Sequence, residues 1–245
     1  MEDFWTFFSF PLNLLLAVLW VIVLRWGWKH HRDNVAVRFL LSPAATVSAL
    51  TMLLASCLWI GLSGSRDFVQ SIVFVAVLLY LQTVLLLIIF RGWRRSDGKV
   101  RWRFLLIHVG LLLAVGSGFW GSPDSSDVRV RLGRGESARE AYSLDGHRVA
   151  LSYELSMNDY EAEYSDDGQP SYFEASVSID GGEPVFITVN HPYGVRLGED
   201  IYLVSVSDTG CVFQIVREIW KYFALAGIIM LIVGAFMLFI KGPGR

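Results

Sequence analysis

Cysteine is almost absent from this chain, with two in 245 residues. Cys57 lies in an apolar run and Cys211 in a polar stretch, so no disulfide between them is expected. Neither belongs to a Cys-x-x-Cys pair, which excludes a dithiol redox couple, a zinc ribbon and a covalent haem-attachment motif. Gly-x-Ser-x-Gly, a Walker loop and His-Glu-x-x-His are also missing, so no catalytic constellation is visible. The chain reads as no enzyme by itself. Charged residues make up only 18%. The opening Met-Glu-Asp is not a basic n-region and no Ala-x-Ala-like site follows, so the first apolar run is expected to be a retained span. No internal repeat or low-complexity tract is present.

Apolar surface is what the chain has in excess. Hydrophobic residues reach 53% and the mean hydropathy is +0.46, above the composition of ordinary soluble domains. The excess falls in five blocks: Phe7 to Leu24, Pro43 to Leu62, Phe68 to Phe90, Phe104 to Trp120 and Tyr222 to Ile240. A helix crossing about 30 Å of hydrocarbon needs roughly 20 apolar residues, so each block predicts a transmembrane helix. Tryptophan and tyrosine cluster near the ends, at Trp5, Trp26, Trp28, Trp93, Trp102, Trp120, Trp220 and Tyr222, as an interfacial belt would require. The expected organisation is four helices in 1–120, a water-facing domain in 121–218, and a last helix with a short tail in 219–245.

Charge is segregated along the chain. Residues 121–218 hold 7 basic and 18 acidic side chains; the remainder holds 14 basic and 5 acidic. The loops RWGWKHHRDNVAVR (25–38) and RGWRRSDGKVRWR (91–103) are basic, whereas GLSGSRD (61–67) is nearly neutral. Basic loops stay in the cytoplasm. The N-terminus and residues 121–218 are therefore expected outside, and the C-terminus inside, of a bacterial cytoplasmic membrane. An acidic exposed domain gives nucleic-acid binding no support.

Within that domain, 147–157, 171–180, 184–190, 200–207 and 211–218 are rich in Val, Ile, Tyr, Phe and Ser and alternate with period two. Turn-formers separate them, Asp180-Gly181-Gly182 among them. Five or six antiparallel strands in this length predict a small β-sandwich or barrel.

One residue in the spans asks for an explanation. RWRFLLIHVGLLLAVGSGFWG (101–121) carries His108 five residues after Arg103, about 7–8 Å deeper at the rise of a helix. Ionisable side chains in spans are costly and usually face protein or mark function. A neutral imidazole offers one lone pair, which can bind a metal, relay a proton or bond a neighbouring helix. Arg91, Arg94, Arg95, Lys99, Arg101 and Arg103 crowd the membrane surface beside it. A flat apolar ligand with a central metal and edge carboxylates suits such a place, and haem has that shape. Interhelical hydrogen bonding is the plainer reading of the same histidine.

The stretch RFLLIHVGLLLAVGSGFWG resembles the histidine-bearing span of ResB-like (CcsB) proteins of system II cytochrome c biogenesis. The shared features are Arg103, His108-Val109-Gly110, Gly116, Gly118 and Gly121. FITVNHPYGVRLGEDIYLVSVS (186–207), with Asn190, Pro192, Gly198, Ile201 and Tyr202, is similar to a later segment of that family. The resemblance implies that His108 is an axial ligand to haem iron, with Arg95, Arg101 and Arg103 as contacts for the propionates. It implies a subunit that binds a transient b-type haem, shared with a CcsA/ResC-like tryptophan-rich membrane subunit, or helps translocate it across the membrane, for attachment of that haem to apocytochrome c. The partner family's tryptophan-rich motif is absent here; Trp26-Gly27-Trp28 reads as interface anchoring. The alternative is a non-catalytic membrane scaffold or sensor whose outer domain binds another membrane protein.

The other candidates have bland readings. His30 and His31 sit in a basic loop, His147 in the outer domain and His191 in a turn before Pro192. Cys211 reads as a buried small hydrophobe and Cys57 as packing. Gln82 and Thr83 are expected to serve helix association. NDYEAEYSDDGQ (158–169) is acidic without calcium-loop spacing and reads as a solvated hairpin tip.

Overall fold

The structure is a computed structural model and describes residues 8–64, 67–164, 170–207 and 209–241. Trp5, Phe7, Ser65, Arg66, residues 165–169 of the acidic hairpin, Asp208 and the last four residues lie outside those described. The chain divides into two units, Met1–Pro123 with Trp220–Arg245, and Asp124–Ile219.

The first unit is helical. Its described elements are α1 (Leu12–His30), α2 (Val35–Leu40), α3 (Pro43–Ser63), α4 (Ile72–Gly92), α5 (Trp102–Gly121) and α6 (Lys221–Lys241). All but α2 are long and apolar enough to cross a membrane, which is the architecture of a multi-pass membrane protein. Local chemistry sets their starts. The Ser42 hydroxyl accepts from Ala45 N at 3.2 Å, with Pro43 at the first helical position. Ser71 caps α4 through Phe74 N at 3.2 Å, so α4 starts at Ile72 and a 3-10 turn, Asp67–Gln70, precedes it. Asn34 caps α2, a helix inside the first basic loop that the sequence pattern does not announce. α1 continues past the apolar run to His30, because Arg25 and Lys29 can reach away from the apolar surface along their own stems.

Side-chain hydrogen bonds stitch the helices together. The Asn13 amide donates to Trp120 O at 2.8 Å, and the Trp120 indole donates to Gln82 Oε1 at 3.0 Å, linking α1, α5 and α4. The Tyr80 hydroxyl meets Ser48 Oγ at 2.8 Å, linking α4 to α3, whose Ala45 and Ala49 are fully buried. Gln82 thus bonds a neighbouring helix, whereas Thr83 donates back to Leu79 O on its own. The α5–α6 contact is glycine-lined. A Cβ on Gly110 would lie 2.8 Å from Gly227 O, and one on Gly227 would lie 2.7 Å from Gly110 O. Only glycine lets these two backbones approach so closely.

The second unit is one antiparallel sheet of eight strands: β1 (Ser126–Leu132), β2 (Ser137–Ser143), β3 (Arg148–Tyr164), β4 (Pro170–Ile179), β5 (Val185–Thr188), β6 (Tyr193–Arg196), β7 (Glu199–Ser207) and β8 (Gly210–Arg217). The order is β5-β4-β3-β2-β1-β8-β7-β6. The sheet curls so that β5 also approaches β6 and β7, a barrel-like closure and not two stacked sheets. Period-two alternation fills its interior. Val128, Val130 and Leu132 of β1, Leu155 and Met157 of β3, and Phe213 and Ile215 of β8 share one core with Ile187 and Ile201. Asp180 (φ 49°) and Gly181 (φ 70°) both take the left-handed conformation in the β4–β5 turn, as a tight hairpin demands. Asn190 (φ 61°) does the same before Pro192. Three elements exceed the sequence expectation: β1, β2 and the four-residue β6.

Candidate functional site

His108 lies on α5, two turns after its start. Its Nδ1 is 2.8 Å from Phe104 O, one turn earlier on the same helix. A carbonyl oxygen only accepts, so Nδ1 must carry the proton and donate it. In the neutral ring the lone pair is then on Nε2. The ring stacks on that of Phe104, with centroids 4.0 Å apart and planes at 28°. Among the described residues nothing hydrogen-bonds Nε2, and the side chain is half-buried. Among the described residues, His108 has no interhelical hydrogen-bond partner.

The direction of the ring follows from helix geometry. At about 100° per residue, His108 lies about 160° round the axis from Gly110. Gly110 marks the contact with α6, so His108 stands on the side of α5 away from that helix. Phe104 is seated on α4: a Cβ on Gly92 would lie 2.5 Å from Phe104 Cζ. The Arg101 guanidinium lies over the same Phe104 ring, 4.9 Å from its centroid, and Nη1 donates to Gly92 O at 3.4 Å. Arg101, Phe104 and His108 thus form a ladder on one face of α5, propped on the end of α4.

The three arginines singled out from the sequence are not equivalent. Arg101 joins His108 through Phe104. Arg103 is half-buried and leaves the helix about 140° round from His108. Arg95 is exposed in the 93–101 loop, a small hairpin whose backbone bonds join Arg95 N to Lys99 O and Arg101 N to Trp93 O, at 2.9 Å each. Phe104 and Gly92 escape sequence reasoning. The one available signal is an aromatic residue four positions before the histidine, hence on its face.

The chemistry of this donor set fits part of a haem site. It offers one nitrogen lone pair for iron, one guanidinium on the same face for a carboxylate, and aromatic and aliphatic surface between them. No group of three His, Cys, Asp or Glu side chains with metal-binding geometry exists among the described residues. Surface depressions occur elsewhere, one of about 390 Å³ beside Leu41, Pro43 and Arg91, another of about 420 Å³ beside Arg134, Tyr160, Tyr164 and Tyr172. His108 lines neither.

The remaining candidates fall into structural places. The His30 and His31 rings pack against Trp26, at centroid distances of 5.3 and 5.2 Å. His191 is exposed in the β5–β6 turn, where its N–H bonds Thr188 O. The backbone of His147 closes the β2–β3 turn with Ser143. Cys211 is fully buried in the barrel core, and burial pushes its thiol up to about 11. Cys57 is exposed on the surface of α3 and does not pack in the interior. A buried polar group unannounced by the pattern lies in the barrel. Glu199, 4% exposed, accepts both Nε (2.9 Å) and Nη2 (2.6 Å) of Arg196. The buried Tyr153 hydroxyl is near that carboxylate, and burial, then the Glu199 charge, hold its pKa well above the usual range.

Comparison with known proteins places part of this chain. Residues 99–212 match the ResB-like family. That span, a little under half of the chain, contains both the His108 helix and the 186–207 segment, so the resemblance to ResB-like proteins holds over both. No curated protein matches. Among solved structures, a chain titled Cytochrome c Heme Lyase CcmF is similar at 12% identity with a TM-score of 0.39, over 78% of this chain and 33% of that one. The present chain thus spans about a third of that structure's length.

Proposed function

We propose that this protein serves cytochrome c biogenesis as a haem-handling membrane subunit. In this reading His108 would hold haem iron through its Nε2, and a CcsA/ResC-like tryptophan-rich subunit would supply the second ligand. The haem is destined for apocytochrome c. The observation that carries the reading is the bare Nε2 of His108 on the side of α5 that α6 leaves open. The match of residues 99–212 to the ResB-like family supports it.

When bound, haem supplies an iron centre that takes a nitrogen lone pair. The chain's own residues do the rest. The Phe104 carbonyl keeps the proton on Nδ1, so Nε2 faces outward as the ligand atom. Arg101 offers a charge-assisted contact to a carboxylate on the same face. Arg103 and Arg95 add positive potential at the cytoplasmic surface. The glycine contact between α5 and α6 fixes how α5 is turned. In this reading His108 lies in the cytoplasmic half of the membrane and the β-domain outside, which the positive-inside distribution of the loops supports. Partners are thus the second membrane subunit, lipid and apocytochrome c.

The experiment is purification with the tryptophan-rich subunit, followed by the reduced haem spectrum of wild type and His108→Ala. Six-coordinate haem in the wild type, with altered ligation in the variant, is expected. A wild-type complex free of haem, or an unchanged variant spectrum, would remove the reading and leave a scaffold or sensor.

A further inference from the structure

We propose that Phe104 is a positioning residue for His108 and that Gly92 is the seat that holds it there. The inference rests on His108 being the ligand-bearing residue of this chain, and it assigns work to two residues outside the ligand set. Phe104 touches His108 twice. Its carbonyl accepts the Nδ1 proton at 2.8 Å, and its ring stacks on the imidazole at 4.0 Å. The first contact selects the tautomer, and the second restricts rotation about the side-chain bonds. A free imidazole on a membrane helix would sample several rotamers, and each would aim Nε2 elsewhere. Stacking confines the ring to one plane, so Nε2 keeps one direction. Partners of this kind orient metal-binding histidines and commonly change metal affinity by about 10–100-fold when removed.

The ring of Phe104 is itself confined from both sides. Gly92 at the end of α4 has no side chain, and the Phe104 Cζ lies 2.5 Å from where a Cβ would be. Arg101 covers the ring, with its guanidinium 4.9 Å from the centroid and a hydrogen bond to the Gly92 carbonyl. Gly92, Phe104, Arg101 and His108 are thus one mechanical unit spanning the α4–α5 turn. A methyl on Gly92 would displace the aromatic ring without touching the histidine. That separates positioning from any direct role in binding.

The test uses the full chain in lipid nanodiscs and three variants. Phe104→Leu removes the ring but keeps the carbonyl, Phe104→Tyr restores a ring, and Gly92→Ala moves the ring from below. In the haem-free protein, nitrogen NMR of labelled histidine, assigned with His108→Ala, should show one Nδ1–H form for His108. Phe104→Leu and Gly92→Ala should broaden or split that signal, and Phe104→Tyr should leave it single. In the complex with the tryptophan-rich subunit, added hemin should bind on the order of tenfold more weakly to the first two variants and near wild type to the third. Gly92→Ala in the Phe104→Leu background should add little, because the clashing ring is gone. A single unaltered His108 signal in both Phe104→Leu and Gly92→Ala overturns the positioning role, even where wild type binds haem and His108→Ala does not. A wild-type complex without haem overturns the haem reading instead, and the NMR measurement then decides the positioning role alone.

Discussion

The glycine contact between α5 and α6 determines which way His108 faces, and its strength can be measured at Gly110. An alanine methyl there would lie 2.8 Å from Gly227 O and 3.1 Å from both Leu231 Cγ and Leu231 N. Carbon–oxygen contacts between packed helices settle near 3.3–3.6 Å. Two of the three obstructing atoms belong to the α6 backbone and cannot rotate away, so the helices must separate by about half an ångström. Overpacking of this kind costs about 1–3 kcal/mol. Alanine in place of glycine returns about 0.8–1 kcal/mol of helix propensity. The expected net effect of Gly110→Ala is therefore a destabilisation of about 0–2 kcal/mol. Gly118 on the same helix has nothing within 4 Å of its would-be Cβ, so Gly118→Ala keeps only the gain, up to about 1 kcal/mol. Reversible unfolding in mixed micelles, followed by helical circular dichroism, reads both. Gly227→Ala should mimic Gly110→Ala, since its methyl would lie 2.7 Å from Gly110 O and 2.8 Å from Ala114 N. Equal shifts of the same sign at Gly110 and Gly118 would refute the close contact, and with it the argument for the orientation of His108.

Three further outcomes are expected in the β-domain. Cys211, with its thiol pushed up to about 11, should carry about one thiolate in a thousand molecules at pH 8 and resist a water-soluble maleimide until the domain is unfolded; mass spectrometry counts the adducts. Glu199→Gln should destabilise the domain by about 1–3 kcal/mol, because a buried carboxylate loses its charge-assisted bonds to Arg196, and should bring the Tyr153 titration down toward ordinary alkaline pH by ultraviolet difference spectra. Glu154 accepts from Ser137 and pairs with Arg139, which together hold its pKa below the usual value. Its contribution is present above the unfolded pKa and is lost as pH falls through the folded pKa; carbon NMR titration should show the value rising in Ser137→Ala and in Arg139→Ala.

The spans are legible because a run near 20 apolar residues has few other uses. Their edges are not, because capping decides them: Ser71 starts α4 four residues into the apolar run, and α1 carries on through Arg25 to His30. In the sheet, the strands with strong apolar alternation read correctly. β2 does not announce itself, since Ala141 is its only buried residue. β6 is four residues long and contains Gly194. β1 alternates Val128, Val130 and Leu132 with Asp127, Arg129 and Arg131, but begins so soon after α5 that it reads as linker. Barrel-like closure is a matter of strand order, which no local pattern encodes. His108 stands out on composition alone. Its tautomer, its stacking on Phe104 and the seat on Gly92 need a fold, because Gly92 and Phe104 meet across a turn.

Gly110 and His108 are two residues apart, yet they divide α5 between two tasks. The His-x-Gly spacing places them nearly opposite each other on a helix. The glycine admits α6 to backbone contact, which a larger side chain would forbid. Once α6 is seated there, the histidine has no choice of side, and its Nδ1 is already engaged by Phe104 O. A ligand atom aimed away from its own chain's packed interface is productive only when another molecule supplies the facing wall. The glycine that seats α6 and the histidine on the opposite side of α5 therefore argue that a haem site here, as proposed, is shared. On that argument, moving the glycine one residue along the helix should disturb His108 ligation even though the histidine itself is intact. Gly110→Leu with Leu111→Gly is the exchange to make, and α6 would be drawn about 100° round the axis toward the histidine's face. Haem bound to that double variant with wild-type affinity and spectrum would refute the division.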